Sequence, residues 1–353
     1  MKSKYAGIAI LLVIILAASG YYFYQKRTRV IELNGYLGGE KIGLFEDEEI
    51  QDILAKKYHI RLNYSRAGSF DMITADTEGR DYMFPSSQTA LELYQSTYGK
   101  PAADEIIFNT PLVLYSHRNV VDALEKQGVV TERDGVSYVD MQKLTDMMLA
   151  ETQWSDIGLP ELYGSVLVDT TDPVKSNSGN MFAALLANVL NGGRTVTAND
   201  VPEILPELKT IFARLGYMET SSSDLFNQFM RMGVGAKPMI AGYESQILEY
   251  AKEQPEEYAK VQDDIVILYP TPTVWSTHVY IALDEQGKKG IEALMDEEVQ
   301  RLAWQKHGFR TSGYESLTGE GASSVSGITE QPMTVINMPE YETMKKIMDA
   351  LGS

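Results

Sequence analysis

Short runs of aliphatic and β-branched residues at 30–33, 59–64 and 82–84 alternate with helical patterns at 46–57, 71–76 and 87–98. This alternation predicts an α/β fold with a parallel sheet, in which ligands meet the loops at the carboxyl ends of the strands. The loops that follow the three runs are small and polar: Gly38-Gly39-Glu40-Lys41, Gly68-Ser69 and Pro85-Ser86-Ser87-Gln88. A longer β-like run at 106–116, interrupted at Asn109-Thr110-Pro111, predicts the passage into a second lobe.

The middle of the chain holds an amphipathic stretch at 140–149, a strand-like run at 165–169 and apolar helical patterns at 181–190 and 206–215. A further helix at 224–232 leads into 237–241, and β-rich runs at 265–269 and 274–283 bring the chain back. Residues 290–307 read as one or two helices with Gly308 as the stop. The glycine- and serine-rich stretch 319–327 reads as a loop or linker.

The junction at residues 172–180 offers the most chemistry. Ser176, Asn177 and Ser178 stand where a helix begins, beside amide N–H groups that have no intrahelical partner and at the positive end of the helix dipole. An anion or an acceptor-rich solute fits such a place. Ser and Asn are also common helix caps, so capping and ligand binding both stay open for Ser178, as for Ser69 and Ser87. The acids at 46–49 complement the dipole of their own helix rather than form a metal site.

At 353 residues and 44% hydrophobic content the chain has room for two lobes, each with a core. With no cysteine, disulfides, thiolate metal sites, a thiol nucleophile and lipid attachment at an amino-terminal cysteine are all excluded. Residues 5–23 carry no charge and are about long enough to cross a bilayer as a helix. The aromatic cluster Tyr21, Tyr22, Phe23 and Tyr24 favours an uncleaved anchor, while Ala17, Ala18 and Ser19 leave a signal-peptidase site open. Five of the 31 basic residues and none of the 49 acidic ones lie in the first 29 positions, so the remainder is more acidic than the overall net charge of −18. A body this acidic repels phosphate backbones and excludes nucleic acid as a partner.

Several stretches together resemble the type II extracellular solute-binding proteins, a group that includes binders of molybdate, sulfate, phosphate, iron and spermidine. They are Gly68-Ser69 before a helix, the crossover run Phe108-Asn109-Thr110-Pro111-Leu112-Val113-Leu114, and Asp172-Pro173 with residues 176–179. Val234-Gly235-Ala236-Lys237, Gly242-Tyr243-Glu244-Ser245 and Glu298-Val299-Gln300 leading to Lys306-His307-Gly308-Phe309 complete the pattern, which covers residues 30–309. The resemblance implies two Rossmann-like lobes joined by two crossing strands and closing on a solute by a hinge motion. Lobe one would be residues 30–112 plus 277–353, lobe two residues 113–276, and residues 1–29 the transmembrane anchor or signal segment.

Carried over residue by residue, the resemblance implies ligand contacts at Gly39, Ser69, Ser86, Ser87 and Gln88 from lobe one. From lobe two it implies Ser176, Asn177, Ser178, Tyr243 and Glu244. Glu244 sits awkwardly beside an anion and points to a cationic or polyol ligand, or to a place at the hinge, with Lys41 and Lys175 as counterweights. Tyr243 and Trp275 offer stacking surfaces or packing. The four histidines are scattered and read as surface or packing residues, and the sequence lacks a nucleophile elbow, a complete phosphate loop and a His-Glu-x-x-His pair.

The expected function is therefore an extracytoplasmic, membrane-anchored solute-binding protein without enzymatic activity or cofactor. It would present a small polar solute, oxyanions ranked first, to the permease of an ABC-type transporter. A membrane-anchored sensor or interaction module with the same fold is the alternative.

Overall fold

Among the described residues nine strands form a mixed sheet, and most begin where the sequence turns β-branched or aromatic. The computed structural model describes residues 15, 29–311, 325–329 and 334–352. The strands are β1 (Ile31–Leu37), β2 (Ile60–Arg66), β3 (Tyr82–Phe84), β4 (Ala103–His117), β5 (Val130–Arg133), β6 (Val136–Asp140), β7 (Met239–Tyr243), β8 (Ile265–Thr271) and β9 (Trp275–Ala282). Their order is β2-β1-β3-β9-β4-β8-β6-β5, with β7 also on β4.

The parallel arrangement expected from the first 112 residues holds for β1 with β2 and β3. It does not extend to β9, which runs antiparallel to both β3 and β4. β4 is continuous through the expected interruption. Its first part, to Pro111, pairs with β9, and from Leu112 on it pairs with β7 and β8. Pro111 therefore sits where the strand changes partners. On the far edge, β5 and β6 form a hairpin whose two turn residues, Asp134 and Gly135, both have positive φ (52° and 77°), the conformation an Asp-Gly turn favours.

The helices are α1 (Ile42–Glu46), α2 (Glu48–Lys57), α3 (Asp71–Thr74), α4 (Gln88–Tyr98), α5 (Arg118–Lys126), α6 (Met141–Leu149) and α7 (Asn177–Leu190). After them come α8 (Val201–Phe212), α9 (Ser222–Met232), α10 (Glu244–Glu253), α11 (Pro255–Val261), α12 (Lys288–Leu294), α13 (Glu297–His307) and α14 (Tyr341–Leu351). Asp47 caps α2 by accepting from the amides of Glu49 and Ile50. Gly308 ends α13 at φ +67°. Two expectations are corrected. Residues 165–169 form only isolated bridges, Ser165 to Gln153 and Asp169 to Ile240. The helix expected from 206 starts at Val201, with Pro202 in its first turn, where no intrahelical N–H bond is lost, and Pro206 inside it.

Alternation along β4 sends Leu112 and Leu114 into one core and Val113 and Tyr115 into another, on opposite faces of the second half of the sheet. The first half has its own pair of cores, one around Phe45, Phe84, Phe108 and Phe309, the other around Met72, Met83, Leu91 and Ile281. Each half is thus a sheet covered by helices on both faces. The last helix packs across: Met344, Ile347 and Met348 of α14 enter the second half's core, while the Tyr341 amide donates to Glu92 of α4 in the first. The sequence alone groups residues 277–353 with lobe one. Among the described residues no helix is long and apolar enough to cross a membrane. The expected span at 5–23, apart from Ile15, lies outside them, as do residues 319–324 of the expected linker.

Candidate functional site

In the first half, three strand ends converge. β1 runs into a single 3-10 turn, Gly39–Lys41, β2 ends at Arg66 before Gly68 and Ser69, and β3 leads to Ser86 and Ser87. Facing them from the second half are the N-termini of α7 and α9 and the end of β7 at Tyr243. Between the halves lies a cleft of about 520 Å³, lined by Gly39, Glu40, Arg66, Ser69, Lys175, Ser176, Asn177, Thr220, Ser221, Ser222, Asp224 and Tyr243, among others.

The capping question raised by the sequence is answered locally. Ser176 and Ser221 are the N-caps of α7 and α9, both with extended backbone, and neither side chain caps the amides of its own helix. The uncapped starts of these two helices, of 14 and 11 residues, therefore belong to the cleft lining, with first amides free of side-chain caps and the positive dipole ends behind them. Ser178, by contrast, is buried and shares its hydroxyl with Thr171 at 2.7 Å and Ser176 at 3.2 Å.

Beneath the cleft runs a buried polar network that joins the two halves. The Lys41 ammonium, fully buried, donates to the Glu40 carboxylate, to Ser86 Oγ at 2.7 Å and to His278 Nδ1 at 3.1 Å, and it lies over the Phe84 ring. Ser86 Oγ donates in turn to Glu40. Burial pulls the Glu40 carboxyl upward, but the Lys41 charge and hydrogen bonds from Lys41 and Ser86 outweigh it and hold the pKa at about 2, so Glu40 is ionised. Burial also pulls Lys41 down, with the adjacent Glu40 opposing. His278 is driven well below its ordinary range by burial and then by the Lys41 charge, so its ring is neutral. With Nδ1 accepting from Lys41, the Nε2 hydrogen faces Ser276 Oγ, 3.4 Å away.

Ser276 Oγ and Asn177 Nδ2 both donate to the Ser86 carbonyl oxygen at 2.8 Å, and Asn177 Nδ2 also donates to the Tyr243 hydroxyl at 3.0 Å. Burial, reinforced by the Glu40 charge, raises the Tyr243 phenol and keeps it protonated. The halves approach closely elsewhere too: Arg66 Nη2 is 3.6 Å from Asp224 Oδ2 across the cleft. A side chain added at Gly68 would meet the Lys175 carbonyl oxygen at 2.8 Å.

Of the residues expected from sequence, Gly39, Ser69, Ser176, Asn177 and Tyr243 line this cleft, with Ser86 and Ser178 in the layer below. Ser87 and the exposed Gln88 do not line it; they border a separate cavity of about 310 Å³ with Trp275, Thr277 and Met181. Glu244 is also elsewhere. It is fully buried, accepts two bonds from Arg310 at 2.7 and 2.8 Å and a third from the Tyr269 hydroxyl, and helps hold the chain after α13 to the second half. Trp275 lies against Arg310, not the cleft. The counterweights are engaged as well, Lys41 with Glu40 and Lys175 with Asp172 at 3.4 Å.

Sequence reasoning missed Arg66, Glu40, Asp224 and the run Thr220-Ser221-Ser222. The last carried a usable signal, a hydroxyl run before an amphipathic helix like that at 176–178. Among the described residues no group of three or more His, Asp or Glu is placed to hold a metal ion.

No family model matches the chain. No curated protein matches it significantly. Its fold, however, is that of the type II periplasmic solute-binding proteins. The structure of iron-bound HitA from Pseudomonas aeruginosa aligns with a TM-score of 0.58 at 13% identity, covering 92% of this chain and 100% of that one. The sulfate-binding protein SubI from Mycobacterium tuberculosis H37Rv aligns at 0.57 and 13% identity over 92% and 96% of the two chains. The periplasmic binding protein AfuA from Actinobacillus pleuropneumoniae, with fructose-6-phosphate bound, aligns at 0.57 and 14% over 91% and 96%.

Proposed function

We propose that this chain is an extracytoplasmic solute-binding protein, held at the membrane by residues 1–29, that clamps a small polar solute between two lobes for delivery to an ABC-type transporter. One observation carries the reading. Strand-end loops of one half and two uncapped helix N-termini of the other face each other across a 520 Å³ cleft. That volume lies within the range of roughly 300–1,000 Å³ common for small-molecule sites. The two lobes are residues 30–112 with 277–311 and residues 113–276, and α14 bridges them. β4 and the passage from β8 into β9 are the crossings about which they close. An anionic group of the solute lies against the α7 and α9 N-termini near Arg66.

The fold neighbours are binding proteins for sulfate, iron and a sugar phosphate, which supports binding over catalysis and leaves the choice of solute to this cleft's own chemistry. The test is a thermal-shift screen of the full chain in mild detergent against oxyanions, metals, sugars, amino acids and polyamines. A ligand at 100 times its Kd adds about 2.7 kcal/mol of stability. Uptake of the hit that depends on this protein and a permease supports transport. Binding with uptake unchanged on deletion assigns sensing instead, and turnover of the hit makes the protein an enzyme.

A further inference from the structure

Glu40 reaches the cleft with one carboxylate oxygen engaged and the other free. Oε1 is held by Lys41 and Ser86, whereas Oε2 accepts no hydrogen bond from the described residues and is left to the cleft that Glu40 lines, although the side chain is only 9% exposed. At the same end, Asn177 uses Nδ2 on Ser86 and Tyr243 and leaves Oδ1 buried without a partner, in a residue only 8% exposed. Two acceptors are thus left free on residues that line the cleft together with Tyr243. An acceptor left unpaired in a closed site costs about 1–3 kcal/mol, so this end calls for a donor.

The charges agree. Arg66 faces Asp224, Lys175 faces Asp172, Lys41 is paired with Glu40, and Asp71 adds a further carboxylate to the lining. Among the described residues at the cleft the cationic side chains are all matched, so the positive potential available to a ligand comes chiefly from the α7 and α9 dipoles, worth about half a charge each. A doubly charged oxyanion is not neutralised by that, and Glu40 beside it repels it.

We propose, resting on the solute-binding reading, that Glu40 and Asn177 receive a hydrogen-bond donor of the solute. The cleft then takes an organic molecule that carries a hydroxyl or amino group as well as its anionic group, and it rejects bare oxyanions. Glu40 fills the role that sequence alone assigned to Glu244.

The experiment is calorimetric titration of the full chain with sulfate, phosphate and matched pairs: serine against propionate, and glycerol 3-phosphate against propyl phosphate. The expected result is that a donor-bearing member binds and its stripped partner binds at least about 100-fold more weakly, because a site built for a hydroxyl or amine rejects the analogue without it. Sulfate and phosphate show no heat at millimolar concentration. In Glu40→Gln, shown folded by circular dichroism, the discrimination falls below tenfold; where that variant does not fold, the pairs on the unaltered chain decide. Micromolar binding of sulfate or phosphate, or equal binding within a pair, overturns the inference and leaves the solute-binding reading standing. No binding by the pairs overturns it too, and silence also toward the metals, sugars and polyamines of the thermal screen overturns both.

Discussion

The side-chain amide of Asn177 donates to the backbone carbonyl of Ser86, 91 residues earlier in the chain and 2.8 Å away. Asn177 opens a helix of the second half, and Ser86 lies in the loop that follows a strand of the first. The bond is therefore a direct measure of how near the halves stand, and the same amide positions the Tyr243 hydroxyl.

Replacing Asn177 with Ala removes two N–H···O bonds but also removes an unpaired buried oxygen. The two effects oppose each other, and the Ser86 carbonyl keeps Ser276 as a donor. The net loss expected is on the order of 1 kcal/mol in urea unfolding. Small-angle scattering of the folded variant should show a larger radius of gyration than the parent. An unchanged radius means that this bond does not hold the halves together.

Gly68 separates closure from folding. Its φ demands no glycine, yet an added methyl would stand 2.8 Å from the Lys175 carbonyl oxygen in the opposite half. Gly68→Ala should leave the melting temperature of the unliganded protein within a degree or two. It should weaken the solute identified by screening about tenfold or more, since overpacking by about 1–3 kcal/mol falls on the closed state alone. Equal affinity in the two proteins would show that the halves need not approach this closely to bind.

His278 gives the protein a pH signature. Its folded pKa is depressed well below 6.5 by burial and by Lys41. Below about pH 6.5 the unfolded chain therefore binds a proton that the folded chain refuses. Stability is full above the unfolded pKa and falls as pH drops toward the folded one, by up to about 1.4 kcal/mol per pH unit. Glu40, also depressed, adds a separate loss only as pH falls from about 4.5 toward 2. His278→Gln should flatten the stability profile between pH 6.5 and 5, read by urea titrations at half-unit steps. A profile parallel to the parent's would place the acid sensitivity elsewhere.

Much of this fold was legible because hydrophobic period and turn chemistry are local. The strand at 82–84 and the Gly308 helix stop follow from their own residues. The antiparallel course of β9 and the bridging of both halves by α14 depend on partners far away in sequence, which no local pattern encodes. The site divides the same way. Ser176 and Asn177 were readable from a helix start, and Ser221 and Ser222 carried the same signal unread. Glu40 and Glu244 are each one carboxylate beside a loop, and only the third dimension shows that the first meets the cleft while the second meets Arg310.

Glu244 yields the sharpest separation of structure from binding. It is fully buried, with two bonds from Arg310 and one from Tyr269, while Arg310 also donates to the Thr329 carbonyl at 2.7 Å. Removing one partner of such a pair leaves the other charge stranded, which costs about 3–5 kcal/mol, whereas replacing both by apolar groups is often near neutral. Glu244→Gln should therefore destabilise the protein by about 3 kcal/mol, and adding Arg310→Met should recover most of that loss. Both proteins should bind the screened solute within twofold of the parent when titrated well below their melting temperatures. A tenfold loss of affinity in folded Glu244→Gln would return this carboxylate to the binding site.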